Sequence, residues 1–92
     1  MKAVLTYSTM IDGKNVEHTR IFDTKKAKKI CGIKNGFGNE VKEIFITEKG
    51  MVFEHRIYDE KLEIPDQKEI KKWIGEHEPD KYIKFFGEVE EG

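Results

Sequence analysis

Apolar and polar positions alternate from the first residues of the chain. Between Lys2 and Thr9, Ala3, Leu5 and Tyr7 occupy one set of positions, and Val4, Thr6 and Ser8 the other. A period of two with β-branched residues predicts a strand. Asp12-Gly13 interrupts the pattern and supplies the positive-φ positions of a tight turn. A second strand is expected from about Val16 to Phe22, completing an N-terminal hairpin. Its side chains divide into Val16, His18, Arg20 and Phe22 on one face, and Glu17, Thr19 and Ile21 on the other.

The period changes after Asp23-Thr24, a pair able to cap a helix start. A helix is expected from there to Cys31, ended by Gly32. Ala27, Ile30 and Cys31 line its apolar stripe, and Lys25, Lys28 and Lys29 its charged one. Gly32 to Asn39 holds three glycines and two asparagines and reads as a long surface loop. Alternation returns over Glu43–Glu48 and Met51–Tyr58, a second hairpin turning at Lys49-Gly50. Helical spacing then takes over. Asp66 and Glu69 stand at capping-box distance, and Ile70, Trp73, Ile74 and His77 form a stripe. Pro79 suits the first turn of another short helix, which carries Tyr82, Phe85 and Phe86 and ends at Gly87.

These elements predict an α+β domain over residues 1–87 in the order ββαββαα. Its four-stranded antiparallel sheet is built from two hairpins, with one intervening helix and two C-terminal helices. Residues 88–92 form an acidic tail with little to bury. At 92 residues the chain fits one domain with a modest core.

Composition narrows the functional classes. No run of apolar residues is long enough for a membrane span, and the N-terminus lacks a signal-peptide pattern, so a cytoplasmic location without membrane contact is expected. A single cysteine agrees with a reducing compartment. Charge is nearly balanced overall but not along the chain. Residues 1–49 carry ten basic and six acidic groups, and residues 50–92 carry seven basic and twelve acidic groups. Opposite poles favour selective association, including self-association as a homodimer, over general nucleic-acid binding.

No catalytic constellation emerges. His18, His55 and His77 fall on separate elements without the local pairing of metal ligands, so neither a metal nor another cofactor is expected. Cys31 shares the apolar stripe of Ala27 and Ile30 and reads as a packed residue. Glu54, His55, Arg56 and Tyr58 are residue types used by small endoribonucleases, but strand alternation points His55 away from the other three. The glycine-containing loop follows a helix in this reading and lacks the Gly-Lys-Ser/Thr ending of a phosphate-binding loop. Its projecting groups, Lys34, Asn35 and Phe37, join Lys25, Lys28 and Lys29 as the candidate binding surface, the lysines for acidic protein or nucleic acid. Trp73, Tyr82, Phe85 and Phe86 are assigned to the core, with a partner groove as the alternative.

From about residue 16 to 87 the order of several short motifs resembles small accessory proteins encoded by phages, plasmids and other mobile elements. The motifs are Asp23-Thr24-x-x-Ala27, Asn35-Gly36, and Glu43 to Gly50 leading into Val52-Phe53. Trp73 with Glu76, Asp80-x-Tyr82 and Phe86-Gly87 complete the set. The chain departs from that pattern in its longer first strand and in lacking a glycine-rich extension after the second hairpin. The resemblance implies an accessory role on a virus or mobile element and transfers no catalytic or ligand residues. The expected function is therefore non-enzymatic binding of a host or viral protein, with a component of a host defence system as one candidate partner. A small RNA-acting enzyme using His18, His55 and Arg56, or a nucleic-acid-binding module, is the alternative.

Overall fold

The computed structural model describes residues 1–92. It is α+β, with antiparallel strands followed by two C-terminal helices, as the periodicities predict. Six strands are present rather than four, in two sheets rather than one.

Strands β1 (Lys2–Ile11) and β2 (Lys14–Asp23) form a long two-stranded ribbon. Asp12 at φ 50° and Gly13 at φ 76° close it, both in the left-handed region that a two-residue hairpin turn requires. Strands β3 (Lys28–Lys34), β4 (Glu40–Ile46), β5 (Val52–Arg56) and β6 (Lys61–Glu63) form an antiparallel meander in sequential order. Helices α1 (Gln67–His77) and α2 (Pro79–Phe86) follow.

The expected helix over Asp23–Cys31 is corrected. Its capping signal is real but drives a single turn: the Asp23 carbonyl accepts from the Lys26 and Ala27 N–H groups, and its carboxylate accepts from the Lys25 N–H. The chain then extends into β3 along β4. An eight-residue helix gains little stability by itself, whereas a strand pairs its backbone and buries Ile30 and Cys31. The register shift between Lys29 and Cys31 inserts Ile30 as a bulge. Because of it, Ile30 and Cys31 both enter the same core cluster despite being adjacent. That adjacency mimicked a helical stripe. Gly32, Ile33 and Lys34 accordingly belong to β3, and the expected long loop shrinks to residues 35–39.

The meander is covered on both faces. On one side Ile30, Cys31, Ile44 and Val52 pack with Ile70 and Ile74 of α1, and Trp73, Tyr82, Phe85 and Phe86 pack around them. On the other, Phe45, Phe53 and Leu62 meet Phe22, Leu5 and Tyr7 of the ribbon. The rings of Phe22 and Phe53 lie 5.2 Å apart edge to face. The result is three layers: helices, sheet, ribbon.

Helix α1 begins as its sequence predicts, with the Asp66 carboxylate accepting from the Glu69 N–H at 2.9 Å. A second anchor was not legible. The Gln67 amide accepts from the Val52 N–H at 2.9 Å and donates to the Val52 carbonyl at 2.8 Å. Strand β6 pairs with β5 only from Glu54 onward, so Gln67 satisfies the backbone that β6 leaves open. The Tyr82 ring lies against α1 at Gly75.

Candidate functional site

Strand direction sorts the turns of the meander between its two ends. The 35–39 turn and the 57–60 turn share one end, since each follows a strand running the same way. Asn35 organises the first of these. Its side-chain oxygen accepts from the Phe37 and Asn39 N–H groups at 2.9 and 3.0 Å, its N–H donates to the Asn39 carbonyl, and Gly38 takes φ 81°. Phe37 stands at the tip of this hydrogen-bonded turn with 90% of its surface exposed. Tyr58 in the neighbouring turn is 71% exposed. In the second turn Arg56 binds Asp59 at 2.7 Å and Glu63 at 3.1 Å.

Below these tips a groove of about 500 Å³ opens between α1 and the helix-facing side of the sheet. Lys42 and Glu54 form its floor, and Glu69, Trp73 and Glu76 of α1 form its wall. Glu54 is the one charged residue in the buried core, 6% exposed. Its nearest cation, the Lys42 Nζ, stands 3.6 Å away.

The structure scatters the lysine surface that the sequence predicted. Lys25 lies in the turn after β2, Lys28 and Lys34 at opposite ends of β3, and all three are exposed. Lys29 is engaged instead, donating to Glu40 at 2.6 Å and lying 3.2 Å from Glu43. Its pKa is raised, first by the hydrogen bond to Glu40, with Glu43 adding to it. A helical lysine face for nucleic acid is therefore not formed. Asn35 serves the turn as a cap, which leaves Phe37 as the projecting group of the predicted loop.

The proposed acid–base residues do not converge. His55 lies on the ribbon-facing side of β5, where its Nδ1 hydrogen-bonds Glu43 at 2.8 Å. This contact holds the Glu43 carboxyl below its ordinary range, and Lys29 adds to the effect. The other ring nitrogen, Nε2, is buried without a partner and has no path to a substrate. Arg56 projects to the opposite face among acidic partners. His18 stacks on Tyr7 at 5.0 Å and bonds the Thr9 hydroxyl at 2.7 Å. No group of three or more His, Cys, Asp or Glu side chains converges on a metal-sized site. Neither helix is long and apolar enough to cross a membrane.

Comparison of the chain with protein-family models, with curated proteins and with solved structures returns no match.

Proposed function

We propose that this protein is a non-enzymatic interaction module that binds another protein through the end of the sheet bearing Phe37 and Tyr58. The observation carrying this reading is the exposure of two aromatic rings on short turns at one end of the meander. An aromatic residue in water gains nothing there for the fold, but it offers a large, rigid contact area at small entropic loss on binding. The Asn35 hydrogen bonds fix the first turn beforehand, so little ordering remains for association. A host or viral protein is the partner class, and an accessory role on a virus or mobile element, including inhibition of a host defence component, rests on the sequence resemblance. The expected signature is a set of captured proteins lost together in Phe37→Ala and Tyr58→Ala, each weakening binding by about 2 kcal/mol or more, while thermal stability stays within about 0.5 kcal/mol. Capture unchanged in both variants would remove this surface from consideration.

A further inference from the structure

We infer that the groove between α1 and the sheet is a receptor for a guanidinium group, an arginine side chain of the partner, with Glu54 as its acceptor. The inference rests on the binding surface proposed above and adds the chemistry of its occupant.

Glu54 sits in the middle of the meander, on β5, where neighbouring strands bury it. No donor of the chain reaches its carboxylate within hydrogen-bond distance; Lys42 at 3.6 Å gives an ion pair without a hydrogen bond. Yet neither oxygen is sealed, because the orphaned and fully enclosed side-chain atom of the protein is His55 Nε2. The carboxylate therefore opens into the groove that it lines. Its immediate neighbour across the sheet is another carboxylate, Glu63, directly opposite on β6. Like charges facing each other on adjacent strands are unfavourable. The local cation Arg56 attracts Glu54 through space but gives its close contacts to Asp59 and Glu63. A buried carboxylate that receives no hydrogen bond keeps acceptor sites open to a charged donor.

The rim matches that demand. Glu69 and Glu76 project from one side of α1, and Trp73 and Ile70 supply apolar wall between them. Lys42 and Lys72 also line the groove, so an occupant must compete with resident cations for the carboxylate. Guanidinium is suited to this. It presents a planar pair of donors to one carboxylate, is less strongly hydrated than ammonium, and carries an alkyl stem that packs on apolar walls. Lys42, itself 37% exposed, can turn its ammonium to solvent as the guest enters.

The test uses the whole chain and N-acetyl-arginine amide as probe, read by the fluorescence of Trp73, the single tryptophan. Saturable binding on the order of 1–10 mM is expected for so small a ligand. The neutral isostere N-acetyl-citrulline amide should give no saturable change, and N-acetyl-lysine amide should bind several-fold more weakly. Glu54→Gln should weaken the arginine probe about tenfold or more, the loss of one charge-assisted hydrogen bond. If that variant does not fold, Glu76→Gln on the exposed helix surface decides instead, with a few-fold loss expected. Equal response to citrulline amide, or unchanged affinity in the folded variant, overturns the inference. Phe37→Ala should leave probe binding intact, so failure of the aromatic surface and failure of the groove are read separately.

Discussion

Burial raises the Cys31 thiol above its ordinary range, and the nearby Glu78 carboxylate adds to the shift. A thiol is nucleophilic only as thiolate, so this side chain is held in its inert form. Ellman's reagent added to the native protein should react far more slowly than with the unfolded chain. A native rate matching the unfolded one would mean that β3 does not hold Cys31 in the core. Assigning Cys31 to the core was sound at sequence level, although the helix used to argue it does not exist. Apolar character survives a wrong period, because burial depends on the side chain and not on which element carries it. His55 shows the opposite limit. Strand alternation separated it correctly from Arg56, but its bond to Glu43 comes from register across β4 and β5, where those residues are directly paired. Likewise, the openness of Glu54 to a groove depends on how α1 crosses the sheet.

Among the elements, β3 departs from its local sequence signal and α1 follows it, and the difference has a physical basis. Helix α1 has an eleven-residue span, a capping aspartate and an apolar stripe that continues for two turns. Local signals of that strength agree with the tertiary solution. The Asp23–Cys31 segment has a cap but only one apolar turn, and pairing with β4 outweighs it. Gln67 ties the two kinds of element together through both hydrogen bonds to Val52. Gln67→Ala removes the pair and leaves the buried N–H and carbonyl of Val52 without these partners. The expected loss is about 1–3 kcal/mol in chemical denaturation, with most of it recovered in no other amide-lacking variant. A loss below about 0.5 kcal/mol would show that water replaces the clamp freely. Strand β6 leaves no sequence signal for another reason: three residues are too short to display a period.

At the scale of the molecule, charge is organised by strand pairing rather than by the two halves of the chain. Within residues 1–49 Lys29 lies with Glu40 and Glu43 on the same sheet, while Lys25, Lys28 and Lys34 stay exposed. Glu43, whose folded pKa is below its ordinary value near 4.5, stabilises the fold above that pH, and the contribution is lost as pH falls through the folded value. Lys29 has the reverse sign. Its folded pKa lies above 10.5, so its contribution is complete below that pH and disappears as pH rises through the folded value. The contributions of Lys29 and Glu43 are therefore constant through neutrality and are lost at the alkaline and acid limits respectively. Glu43→Gln should flatten the acid limb of a plot of unfolding free energy against pH between about 5 and 2, because the variant has no carboxyl there to protonate. An acid limb of unchanged slope would place the titrating group elsewhere.

Alternation, caps and turn residues by themselves determined the N-terminal ribbon, the β4–β5 hairpin, both C-terminal helices and the exposure of Phe37 on a turn. Those features follow from interactions within a few residues, where side-chain period and backbone chemistry act directly. Only the tertiary structure decided that Lys28–Lys34 is a strand, that the ribbon covers the second face of a separate meander, and that Glu54 opens into a groove beneath α1. Each of these depends on which distant backbone or side chain arrives opposite. The sheet pairing that recruits β3 also disperses the lysines, so Lys29 is ion-paired while Lys25, Lys28 and Lys34 stand exposed and apart.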